Sequence, residues 1–193
     1  MEYKASKDIV AVIAEFLMTG PILDHFEFPR LHYPNVPGYK PDYYRKIGLL
    51  IKEGTVPVYV DENAPKNAAA YYKQKANRLY LAKETAKLGT AERWSTVVHE
   101  TTHIIQDWKK WRLTLSETEA DAHFAQALFM HYKGAAFGGD FLTVYAAAAR
   151  AYASGDKQEF KKLIGEMYLR VNEKYKDKEG YENMHKKART DGI

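Results

Sequence analysis

His99, Glu100 and His103 stand in the run His-Glu-Thr-Thr-His. On a helix, residues four apart sit about 40° apart around the axis and roughly 6 Å along it. Two imidazoles placed this way can reach one metal ion together, and the carboxylate between them stands beside the ion rather than at it. The plain alternative is a pair of solvated histidines. Trp94, Val97, Val98, Ile104, Ile105 and Trp108 recur at helical spacing and share one face, with His99, His103 and Gln106 nearly opposite. Such a helix either lies at the surface or has a second, polar task.

The next segment, Ser116-Glu117-Thr118-Glu119-Ala120-Asp121, reads as a helix start. Ser116 suits the N-cap, and Glu119 at the third helical position would complete a capping box. With Glu117 as reference, Asp121, Phe124 and Leu128 lie on one side, whereas Glu119, His123, Gln126 and Met130 lie on the other and read as a solvated face. The first set places two carboxylates on an apolar stripe. Burying a carboxylate without a partner costs on the order of several kcal/mol, and a metal held by the preceding helix would be such a partner. A cap or a lysine pair is the plain alternative for Glu117.

His99-Glu100-x-x-His103 followed by Glu117-x-x-x-Asp121 resembles the gluzincin pattern of zinc metallopeptidases. The string Glu117-Thr118-Glu119-Ala120-Asp121 is similar to the third-ligand helix of the prenyl-protein-type membrane peptidases and of the repressor-cleaving ImmA/IrrE-type metallopeptidases. The resemblance covers about residues 94 to 128. It implies a zincin-like fold and a zinc-dependent metallopeptidase, a hydrolase acting on a peptide or protein. His99, His103 and Glu117 would hold Zn²⁺ and leave a fourth position for water. Glu100 would be the catalytic base, passing the water's proton to the leaving amine. Asp121 would orient a ligand histidine through its free ring N–H. Only the 13 residues 104 to 116 separate His103 from Glu117, short for this group, and Glu119 is the substitute third ligand. The group's edge strand, which pairs with substrate, would be 69–73 or 78–82. A non-catalytic zinc module with an interaction or sensing role is the alternative from another class, although such a site has no need of Glu100. The oxyanion-stabilising residue is not singled out: Tyr145, Tyr152, Tyr168 and Tyr175 read as core, and His25, His32, His123 and His185 have no evident partner.

The elements around these motifs follow from periodicity. Residues 4–18 read as an amphipathic core helix rather than a signal peptide. Five of the seven prolines fall within 20–41, among aromatic residues, so this stretch reads as an ordered, packed loop. A helix is expected over 42–52 and strands over 55–60, 69–73 and 78–82, the last two as a hairpin. Pro57 removes a donor and predicts a peripheral or irregular first strand. Helices are expected near 91–110, 116–132, 140–153 and 157–175, with a weaker one near 180–189. Phe160, Leu163, Ile164, Met167, Val171 and Tyr175 form a core stripe. The order argues for one α+β domain over 1–193, a small sheet with an edge hairpin packed on helices.

Composition bounds the rest. The chain has 193 residues, 46% hydrophobic and 28% charged, ordinary for a folded domain and unlike a disordered chain. A net charge of +4 is too mild to argue for nucleic acid. No stretch approaches the roughly 18 apolar residues of a membrane span. The chain contains no cysteine, which excludes disulfides and thiolate chemistry. A cytoplasmic location is the default expectation, and cysteine-free chains are also compatible with export.

Overall fold

The structure is a computed structural model and describes residues 1–33, 35–65, 68–136 and 140–175. Its architecture is α+β. Strand β1 (Glu2–Lys4) leads into helix α1 (Lys7–Thr19), which is capped by the Ser6 side chain accepting from Ile9 N. The expected first helix therefore begins three residues later, and the residues before it pair in the sheet. Helix α2 (Pro41–Lys52) starts on a proline, whose missing N–H costs nothing in a first turn. Strands β2 (Val58–Asp61), β3 (Ala70–Lys73) and β4 (Arg78–Ala82) follow, with helices α3 (Ala91–Trp108), α4 (Leu115–Tyr132), α5 (Asp140–Ala153) and α6 (Lys157–Tyr175). The helix expected near 180–189, and His185, lie outside the described residues.

The sheet order is β1-β2-β4-β3, with β2 and β4 parallel and the outer pairs antiparallel. This corrects the peripheral placement expected for the 55–60 strand. Pro57 sits just before β2, where its carbonyl accepts from Leu79 N at 3.1 Å, and the missing donor leaves the ladder intact. The 70–82 hairpin forms as expected, and among the described residues β3 is an edge.

Val58, Val60, Leu79, Leu81 and Ala70 face inward toward the helices, and Tyr59, Tyr80 and Tyr71 stack across the other face. Helix α3 packs against α2, α4 and β3. Both its faces are covered: every residue from Val97 to Asp107 is buried. The loop after α1 is packed as expected, with Leu23, Phe26, Phe28, Leu31 and Tyr39 all at or below 2% exposure.

Two local features set the phase of α4. At the end of α3, Lys110 takes a left-handed conformation (φ 53°), Trp111 N donates to Gln106 O and Lys110 N to Asp107 O. This is a Schellman turn with lysine in the usual glycine place, and it reverses the chain within six residues. The capping box then uses Thr114 and Glu117 rather than Ser116 and Glu119. Thr114 Oγ accepts from Glu117 N at 3.3 Å, and Glu117 Oε2 from Thr114 N at 2.7 Å. The box begins two residues earlier than expected, and that shift decides which glutamate faces α3.

Candidate metal centre

Helices α3 and α4 meet along His99, His103, Glu119 and His123. His99 Nε2 and His103 Nε2 lie 3.1 Å apart. Glu119 approaches both, with Oε2 3.7 Å from His99 Nε2 and Oε1 3.6 Å from His103 Nε2. Donors bound tetrahedrally at 2.0–2.1 Å stand about 3.3 Å from one another. The two nitrogens stand close to that edge, and Glu119 reaches them through different oxygens, Oε2 toward His99 and Oε1 toward His103, so its carboxylate straddles the pair. Glu100 Oε1 lies 3.9 Å from His99 Nε2, and His99, Glu100 and His103 bring their donor atoms within 4.8 Å of one another. A second such group is His99, Glu119 and His123.

Burial prepares the rings to act as donors. The His99 pKa is pushed down to about 3, first by desolvation and then by the neighbouring His103. His123 is lowered well below its ordinary value, again by desolvation first and then by His99 and Lys174. Neutral imidazoles offer lone pairs at neutral pH, with no proton to displace. His99 Nδ1 is buried without a hydrogen-bond partner.

The other histidine is oriented through a chain of bonds. His103 Nδ1 lies 3.0 Å from Gln106 Oε1. Gln106 Nε2 donates to Thr118 O at 3.1 Å and to the Tyr39 hydroxyl at 2.7 Å, and that hydroxyl donates to Asp121 Oδ2 at 2.9 Å. Asp121 Oδ1 accepts from Leu31 N at 3.0 Å. Burial pushes the Asp121 carboxyl up to about 7, opposed by these two donors.

Of the expected site residues, the structure brings His99, Glu100 and His103 together. It does not bring Glu117 to them. That carboxylate is occupied by the capping box and by His32, whose Nε2 is 3.4 Å from Oε1, and Glu119 takes the place facing the histidines. Asp121 does not orient a ligand histidine directly. The ring N–H goes to Gln106, and Asp121 acts two links away.

The face of α4 expected to be solvated is the face turned toward α3. Glu119 has 13% of its side chain exposed, and His123 and Met130 are buried. His123 and Tyr39 are the residues that sequence reasoning missed. One signal was available: Glu119 and His123 are four apart, the same spacing as His99 and His103, and both helices carry His-x-x-Gln. Tyr39, 67 residues from Gln106, carried no local signal.

Among the described residues, no helix is long and apolar enough to cross a membrane. The chain matches no protein-family model, no curated protein and no solved structure.

Proposed function

We propose that the protein is a zinc-dependent metallopeptidase of zincin-like build, with His99, His103 and Glu119 as the metal ligands. The observation that carries this reading is the convergence of both Nε2 atoms and both Glu119 oxygens, with Glu100 beside them. Two imidazoles and one carboxylate suit zinc better than the all-oxygen shells that calcium and magnesium prefer. Bound there, zinc would supply Lewis acidity and lower the pKa of a water in its fourth position toward neutrality.

The chain's own residues would do the rest. Glu100 takes the proton of the attacking water and delivers it to the leaving amine. Gln106 keeps His103 in the tautomer whose Nε2 is bare, and Tyr39 and Asp121 hold Gln106. Strand β3 offers an outer edge to an extended peptide, and Tyr72 and Gln74 anchor it to Asp107 on α3 at 2.7 and 2.6 Å.

Metal analysis tests the reading. Purified protein should carry close to one equivalent of zinc, lost in His103→Ala, and Glu100→Gln should keep the ion while losing hydrolysis. A parent protein with no affinity for zinc refutes it.

A second reading, a non-catalytic metal module, is favoured by His123, a further donor 3.9 Å from Glu119 Oε2. Chelation separates the two. Global unfolding on metal removal supports the structural role, and a folded, inactive protein supports catalysis.

A further inference from the structure

His123 is held by the same device as His103. A glutamine follows each by three residues, Gln106 after the one and Gln126 after the other. Ser95 Oγ donates to Glu92 O at 2.7 Å and so accepts from Gln126 Nε2 at 3.2 Å. That leaves Gln126 Oε1 facing His123 Nδ1 at 3.3 Å. An amide oxygen only accepts, so Nδ1 carries the hydrogen and Nε2 the lone pair. A ring anchored at Nδ1 with Nε2 bare is the state in which a histidine binds metal.

Two groups can take that lone pair. Lys174 Nζ, on α6, lies 3.3 Å from His123 Nε2 and 4.2 Å from the centre of the Phe141 ring, which itself packs edge-on against His123. On the other side, His123 shares a ligand-capable group with His99 and Glu119.

We propose that His123 is a fourth protein donor for the ion held by His99, His103 and Glu119, and that Lys174 competes with the ion for its lone pair. The inference rests on the metal site proposed above and concerns how that site is regulated. An ammonium only donates and a metal only accepts electron density, so one lone pair serves one of them at a time. With Lys174 engaged, the fourth corner is left for water. With Lys174 withdrawn, His123 closes that corner and the site becomes four-coordinate through protein alone, the pattern of structural rather than catalytic zinc.

The test compares the full-length protein with K174M and K174M/H123F, each loaded with Zn²⁺ for chelator competition and with Co²⁺ for visible spectra with and without azide. The parent should show a Co²⁺ spectrum that moves on azide addition. K174M should hold zinc more tightly, by at least the roughly tenfold that even an outer-shell partner is worth, and its spectrum should ignore azide. K174M/H123F should return to the parent's affinity and azide response. The proposal is overturned if K174M matches the parent in both readouts. A parent that takes up neither metal refutes the metal site and this inference with it, whereas a parent that binds both while K174M is unchanged sinks the inference alone.

Discussion

Gln106 fixes the tautomer of His103. The carbonyl of Thr118 can only accept, so the Gln106 atom 3.1 Å from it is the amide nitrogen, and the oxygen 3.0 Å from His103 Nδ1 must receive a hydrogen from the ring. Nε2 is left with its lone pair directed at His99 and Glu119. Gln106→Leu removes that constraint and strands Thr118 O and the Tyr39 hydroxyl in the interior. We expect zinc affinity to fall by about 10–100-fold and stability by about 1–3 kcal/mol. Chelator competition and urea denaturation of the same preparation measure the two. Unchanged affinity alongside reduced stability would make Gln106 a packing residue only.

Glu117 serves the helix cap and Glu119 faces the two histidines, and a pair of variants tests whether the proposed coordination follows that division. Glu119→Gln should abolish stoichiometric zinc while the metal-free protein stays folded, because this carboxylate faces both histidines. Glu117→Gln should retain zinc and lose stability by roughly 0.5–2 kcal/mol, the usual worth of an N-terminal cap. The reverse pattern in metal stoichiometry and thermal melts would restore Glu117 as the ligand.

That exchange shows what the sequence can and cannot disclose. Helices α2 to α6 stand near their expected bounds, but an apolar stripe does not account for all that α3 and α4 bury: α3 is covered on both faces, and α4 turns Glu119 and His123 toward it. His99 and His103 are visible because both lie on one helix, where spacing is geometry. Which glutamate faces the two histidines is not visible. Ser116 and Thr114 are both good caps, each followed three residues later by a glutamate, and local chemistry cannot rank them. The Lys110 turn ranks them by starting the helix at Leu115. The face with Glu119 and His123 reads as solvated because its polar groups serve each other across two helices, a relation with no local period. Tyr39 and Leu31 reach Asp121 across 82 and 90 residues, and only tertiary packing places them.

The proline-rich loop reaches the site through Gly38. Phe28 and Tyr39 exchange both backbone hydrogen bonds, at 3.2 and 2.8 Å, and stack their rings at 4.5 Å. A Cβ on Gly38 would fall 2.1 Å from Phe28 O and 2.7 Å from Pro29 Cα, and backbone cannot swing aside as a long side chain can. Gly38→Ala must push the two segments apart and draw Tyr39 away from Gln106. Overpacking of this kind costs about 1–3 kcal/mol, and here a loss of zinc affinity should accompany it. The zinc titration is the discriminating measurement, because a bridge with no bearing on the site would lose stability alone.

The acid limb of the metal-free protein should carry the signature of buried histidines and of one buried carboxyl working against them. His99 binds its proton near pH 3 in the fold and near its ordinary value when unfolded, and His123 is shifted the same way. Between about pH 6.5 and 3 the unfolded chain therefore binds more protons at these positions, and stability falls as pH falls. Asp121 runs the other way. Its folded pKa of about 7 exceeds its unfolded value, so between pH 7 and about 4 the fold gains stability on acidification. Asp121→Asn removes that opposing contribution. Its unfolding free energy in urea should drop with falling pH more steeply than the parent's, by about 1.4 kcal/mol per pH unit for the one proton no longer taken up. Unfolding free energies at pH 6.5, 5.5 and 4.5 in chelator measure the slope; parallel lines for parent and variant would show that the Asp121 carboxyl is already ionised in the fold at these pH values.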